Sequence, residues 1–135
     1  MGAFPLIPFS NRIRNGRFSF QGQHIKLTPN FHPESHAIHG HGWKAPWTVT
    51  KVEENKVIIE YCHFPDEWPF PYLARQIFEL WGSTLTVTIQ ISNTGNSAMP
   101  AGIGLHPYFI RTPRASITAK TKKMWINDAE SMPLS

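Results

Sequence analysis

Ser83-Thr84-Leu85-Thr86-Val87-Thr88-Ile89-Gln90-Ile91-Ser92-Asn93 decides the fold class. Leu85, Val87, Ile89 and Ile91 alternate with Thr84, Thr86, Thr88 and Gln90. That is a clean period of two with β-branched residues on both faces, the signature of a strand. Gly82-Ser83 precedes the run, and Asn93-Thr94-Gly95-Asn96 closes it in turn chemistry. Upstream, residues 72–81 read as a second strand feeding the same hairpin. A helix is their rival reading, because Leu73, Ile77, Leu80 and Trp81 also fit a helical stripe. Residues 47–52 and 56–61 flank Glu53-Glu54-Asn55 in another hairpin pattern. The continuous apolar run Val57-Ile58-Ile59 predicts a strand covered on both faces.

The rest of the chain extends this picture. Asn15-Gly16 is the strongest short turn signal and is expected to join residues 10–14 to 17–20 as a hairpin. Gln21-Gly22 then turns into residues 24–27, and residues 115–120 and 123–126 read as further short strands. Twelve Pro and nine Gly punctuate the sequence throughout, which disfavours long helices. The expected fold class is all-β, with many short antiparallel strands in a sandwich or barrel.

Length and charge narrow the function classes. At 135 residues the chain fits one domain, 1–135, burying roughly two-thirds of its unfolded surface. One Cys excludes a disulfide framework and a Cys-based zinc site. No apolar run approaches the roughly 18 residues of a membrane span. The start, MGAFPLIPFSNR, lacks the pattern of a signal peptide or a myristoylation site. A soluble, cytoplasmic protein is the resulting expectation. The net charge of +4 is modest, and Lys120, Lys122 and Lys123 form the one tight basic cluster. A nucleic-acid partner is therefore not expected.

Three patches carry residues suited to chemistry. The first runs from Phe4 to Phe18 and is apolar but broken by Pro5 and Pro8, so a buried irregular stretch is expected. Asn11 and Arg12 follow it and offer fixed donors to a polyhydroxylated ligand. Alternatively, Arg12, Arg14 and Arg17 are solvated strand charges with carboxylate partners. The second patch holds His32, His36, His39 and His41, four of the seven His. Imidazoles in such number suit either zinc or copper, or proton transfer near neutral pH. The spacing matches no closed metal site, and no metal is expected. Trp43 and Trp47 are either core anchors or a sugar-stacking wall. The third patch, Met99 to Phe109, embeds His106 among small and bulky apolar residues. Such a histidine is either a satisfied core residue or an acid with a tuned pKa.

Taken in order and register, Phe-Pro-Leu-Ile-Pro-Phe-Ser-Asn-Arg-Ile, His-Ala-Ile-His-Gly-His-Gly-Trp and Gly-Leu-His-Pro-Tyr-Phe resemble the aldose 1-epimerase (galactose mutarotase) family. Trp68-Pro69-Phe70-Pro71-Tyr72 resembles it too. The resemblance implies part of a large mutarotase-like β-sandwich that binds a free aldose and interconverts its α and β anomers. It implies His106 as general acid on the ring oxygen, His39 as the second active-site histidine, and Asn11 with Arg12 as the hydroxyl-binding pair. Trp43 joins them as a substrate contact. It implies no metal or organic cofactor. The family's base, a glutamate, belongs to a later region than these residues, so the chain reads as the N-terminal half to two-thirds of the pattern. The rival expectation is a carbohydrate-binding protein without turnover. A monosaccharide, free or as a hexose phosphate, is the expected ligand. A sandwich cut partway exposes strand edges, which predicts a homodimer.

Overall fold

A computed structural model describes residues 2–134. The strands in chain order are β1 (Ala3–Leu6), β2 (Arg12–Ile13), β3 (Arg17–Phe20), β4 (Gln23–Lys26), β5 (Ala37–Ile38), β6 (Thr48–Glu53), β7 (Lys56–His63), β8 (Tyr72–Trp81), β9 (Thr84–Asn93) and β10 (Gly104–Pro107). Among the described residues the one helical element is the 3₁₀ turn Arg14–Gly16. All-β architecture is therefore what the molecule has.

The dominant sheet is β6-β7-β8-β9, a meander of antiparallel neighbours. β8 and β9 pair without slippage from Tyr72↔Asn93 to Trp81↔Thr84. Residues 72–81 thus form a strand, not a helix. Tyr72, Ala74 and Gln76 are buried while Leu73, Arg75 and Ile77 are half-buried, the alternation a pleated strand imposes. Opposite charges face each other across β7 and β8: Arg75 meets Glu60 and Lys56 meets Glu79 in direct register. Val57, Ile58 and Ile59 lie on the central strand β7, but they are half-buried rather than fully covered.

The core forms where one face of this sheet meets the hairpin β3-β4 and the segment after β1. Ile7, Ile25, Leu27, Ala37, Trp68, Phe70, Tyr72 and Ala74 make the buried cluster. Phe18, Phe20, Tyr61, Ile89 and Ile91 pack against it. Burying a side chain such as Ile7 completely contributes about 2–3 kcal/mol. The expectation of an irregular first patch is half met. Ala3–Leu6 is a strand, paired with β10 through Pro5↔Leu105, and the irregular stretch is confined to residues 7–11, before β2. A two-stranded pairing tolerates Pro5 because just one neighbour needs its ladder bonds.

Two strand expectations fail. Asn15-Gly16 does not close a hairpin. β2 pairs with β5 and β3 pairs with β4, so each flank of the turn is taken by a different strand. The Gly16 carbonyl accepts the Leu27 N–H at 2.7 Å, and the Asn15 N–H donates to His36 Nδ1 at 3.1 Å. Long-range partners thus capture the local turn signal. Residues 115–120 and 123–126 form no strand and are exposed, because no edge among the described residues pairs with them. Further along, the chain re-docks at the Asn127↔Pro133 bridge, where Asp128 accepts the Glu130 and Met132 N–H groups.

Candidate functional site

β1 and β10 lie side by side with Phe4 opposite His106. This pairing carries His106 to the segment that follows β5. The rings of His39 and His106 stand 5.9 Å apart, nearly edge to face. Both line a cavity of about 120 Å³ with Phe4, Phe31, Trp43 and Tyr108. Its floor is Leu6 and Ile38. Aromatic walls and two imidazoles make a pocket suited to a small ligand with apolar faces and polar edges.

The backbone around His39 is specialised. His39 has φ +60 and Gly40 φ +65. A Cβ on Gly40 would lie 2.0 Å from the Ile7 carbonyl oxygen, so glycine is needed at this close approach. The Ile7 carbonyl in turn accepts the His41 and Gly42 N–H groups, both at 3.0 Å. This turn reverses the chain and swings the His39 ring out to the pocket.

The ring's protonation state is set by Asn11. Its backbone N–H donates to His39 Nδ1, so the neutral ring carries its proton on Nε2. Burial is the main cause holding the His39 pKa below the ordinary imidazole value, helped by neighbouring His106 and Arg12. His106 is exposed, not embedded as its apolar sequence setting suggests. Its ring stacks on Tyr108 at 4.7 Å, which fixes its plane at the pocket mouth. The surrounding apolar residues belong to a short strand with one partner, so they shield the ring on one side only.

Arg12 stands behind this pair. It donates from Nε and Nη2 to the two Glu34 oxygens at 2.9 and 2.6 Å. Those bonds hold the Glu34 carboxyl below the usual carboxylate range. Nη1 has only longer contacts, to Asn11 Oδ1 at 3.4 Å and the Ser131 carbonyl at 3.3 Å. Arg14 also has carboxylate partners, Asp128 and Glu130. Carboxylate pairing thus describes both arginines.

The four clustered histidines do not act together. His32 is exposed and His36 is buried beneath the Asn15 turn. His41 points away from the pocket. Its Nε2 shares a hydrogen bond with the Tyr72 hydroxyl at 2.5 Å and its ring lies 4.3 Å from His63. Burial pushes His41 down to about 4 and raises Tyr72, so the hydroxyl keeps its proton. Among the described residues no three His, Cys, Asp or Glu side chains are placed to hold a metal ion.

The two tryptophans divide their roles. Trp43 forms the pocket wall and donates from Nε1 to the Gly40 carbonyl at 3.0 Å. Trp47 packs against the core and donates to the Gly42 carbonyl at 2.8 Å. Sequence reasoning missed Phe4, Phe31 and Tyr108 as lining residues, and Glu34 as the Arg12 partner. An acidic residue inside a histidine-rich run opposite an Asn-Arg pair was the available signal for Glu34. Nothing local marked Phe31.

The aldose 1-epimerase family model matches residues 1–135. The chain belongs to the aldose 1-epimerase family. It is 36% identical over 123 residues to the uncharacterized protein YphB of Escherichia coli K12, across 91% of this chain and 42% of that protein. It is 35% identical over 107 residues to YihR of the same organism, across 76% of this chain and 34% of that protein. A crystal structure of a candidate aldose 1-epimerase from Escherichia coli K12 superposes with a TM-score of 0.86 at 34% identity, covering 97% of this chain and 44% of that one. A galactose mutarotase-like protein of Clostridium acetobutylicum shares the fold, with a TM-score of 0.76 at 22% identity over 98% of this chain and 44% of its own. The chain thus spans less than half the length of these relatives. The β-sandwich of the family is represented by one large sheet and the hairpins packed on it. Among the described residues no helix is long and apolar enough to cross a membrane.

Proposed function

We propose that this chain carries the sugar pocket and the acid half of an aldose 1-epimerase site. The observation that supports the reading best is the facing pair His39 and His106 across a small aromatic pocket. An aldose in that pocket stacks an apolar ring face on Trp43. Arg12 and Asn11 lie outside the cavity lining, beside His39, and take hydroxyls only of a ligand that reaches past its edge. His106 protonates the ring oxygen as the anomeric hydroxyl loses its proton. The C1–ring-oxygen bond breaks and the C1 carbonyl forms. Rotation about C1–C2 and reclosure give the other anomer, with the protons returned. His39, neutral with its proton on Nε2, donates a hydrogen bond to the same region.

The proton acceptor is the open role. The cavity lining contains no carboxylate. Glu34 is bound to Arg12, and Glu60 and Glu79 are bound to Arg75 and Lys56 on the sheet. In this reading water, or a carboxylate from outside the described residues, takes the anomeric proton. The missing carboxylate is also what favours the second reading, sugar binding without turnover. Polarimetry of fresh α-glucose and α-galactose tests the two. Acceleration by the wild type and not by His106→Ala supports the enzyme. Saturable galactose binding with no acceleration supports the binding protein.

A further inference from the structure

We infer that Asn30, in the connection between β4 and β5, is the positioning residue that sets His39, through a carboxamide clamped on the backbone at both sides of it. The Asn30 side chain makes three bonds. Oδ1 accepts the Ile38 N–H at 2.8 Å. Nδ2 donates to the Ile38 carbonyl at 2.8 Å and to the Gly40 carbonyl at 2.7 Å. Residues 38 and 40 bracket His39, whose own backbone sits in the left-handed region at φ +60. A histidine leaves its preferred backbone region only where the surroundings over-determine it.

The clamp has two sides. From the Asn11 side, the His39 N–H donates to the Asn11 carbonyl and the Asn11 N–H donates to Nδ1. From the other side, Asn30 takes the polar groups of Ile38 that point away from β2. Its carboxamide stands where the peptide group of a further strand would stand. Removing it leaves one N–H and one carbonyl without a protein partner, and weakens the hold on the Gly40 carbonyl.

The same residue ties the histidine to the pocket wall. The Gly40 carbonyl receives both Asn30 Nδ2 and the Trp43 indole N–H. Lys44 Nζ donates to the Asn30 backbone carbonyl and lies 4.6 Å from the centre of the Trp43 ring. The imidazole that reaches the ligand and the indole that it stacks on therefore share one anchor. Asn30 touches neither ligand nor reacting atoms in this arrangement. It acts through His39, and its catalytic consequence rests on the epimerase reading above.

The test uses the full chain with ¹⁵N-labelled histidine. Two-bond proton–nitrogen correlations report which ring nitrogen carries the proton, and His39→Gln identifies the His39 signals. The wild type is expected to show His39 as the Nε2–H tautomer through neutral pH. Asn30→Ala is expected to move those signals toward a mixture of tautomers while the amide signals of the β6–β9 sheet stay in place. Asn30→Ser keeps a hydroxyl able to serve one of the Ile38 groups but loses the donation to Gly40, and serves as the milder variant should Asn30→Ala unfold. In the active protein, kcat for mutarotation is expected to fall about 10- to 100-fold in Asn30→Ala, with KM changed far less. Folded Asn30→Ala or Asn30→Ser with wild-type His39 signals would overturn the inference. Perturbed His39 signals in a chain whose wild type accelerates no mutarotation would keep the positioning role and refute the epimerase reading instead.

Discussion

Asn11 and His39 are joined twice. The Asn11 N–H donates to His39 Nδ1 at 3.1 Å, and the His39 N–H donates to the Asn11 carbonyl at 2.8 Å. A backbone donor on Nδ1 is compatible only with an unprotonated Nδ1, so one ring tautomer is selected before any ligand arrives. Protonating His39 breaks the first of these bonds, and burial already disfavours the charged ring.

That relationship fixes the sign of a pH effect. His39 and His41 both hold folded pKa values below the ordinary imidazole value of 6.5. Between the folded and unfolded values the unfolded chain binds more protons, so stability rises with pH across that window and falls as the solution is acidified. For His41 the window runs from 6.5 down to about 4. Urea midpoints are expected to be level above this window and to drop through it. The drop is expected to shrink in His41→Gln, although that variant also loses the Tyr72 hydrogen bond and starts lower. Lowered carboxylates such as Glu34 and Asp128 contribute stability that is lost at more acidic pH, as pH falls below their ordinary values of 4.5 and 3.8.

Gly40 and Gly22 should respond differently to the same change. Both have positive φ, but a Cβ at Gly40 meets the Ile7 carbonyl while a Cβ at Gly22 meets nothing within 4 Å. Gly22→Ala is expected to cost about 1 kcal/mol, the strain alone. Gly40→Ala is expected to cost about 3 kcal/mol or more, because Ile7 must move as well. Equal losses in urea unfolding would show that the turn does not press on Ile7.

Trp43 and Trp47 are expected to separate binding from stability. Trp43→Ala should raise the galactose Kd by about tenfold or more while costing less stability than Trp47→Ala, because Trp43 lies outside the buried core cluster. Trp47→Ala should destabilise the chain by about 3 kcal/mol and leave the pocket wall intact. Calorimetric titration beside urea unfolding reads both.

Arg12 supplies the next prediction. Glu34 orients its guanidinium through two bonds, at 2.6 and 2.9 Å. Glu34→Gln keeps the shape but removes the charge, and is expected to weaken galactose binding by roughly tenfold. An unchanged Kd would show that Arg12 is held by Asn11 and Ser131 alone or does not meet the sugar.

The large sheet was legible in the sequence because its signals are local. The alternation in β9 and the turn at Gly82-Ser83 specify a hairpin without help from distant residues. The Asn15-Gly16 turn misled for the opposite reason. Its local geometry is present, but β4 and β5 compete for its two flanks. Residues 115–120 and 123–126 carry a strand-like pattern that no edge among the described residues satisfies, which propensity alone cannot reveal. At the site, His39, His106 and Arg12 were singled out from motif register, and the fold brings the two imidazoles to one cavity. Asn30, Phe31 and Glu34 were not, because their roles depend on how the β4–β5 connection folds back over β5.

The measurement that tests the central claim most directly is the polarimetric rate of mutarotation of fresh α-galactose, with His106→Ala as control. An acid half-site at His106 predicts a rate above buffer for the wild type and a rate at buffer level for the variant. A wild-type rate equal to buffer, with the fold intact, would contradict it.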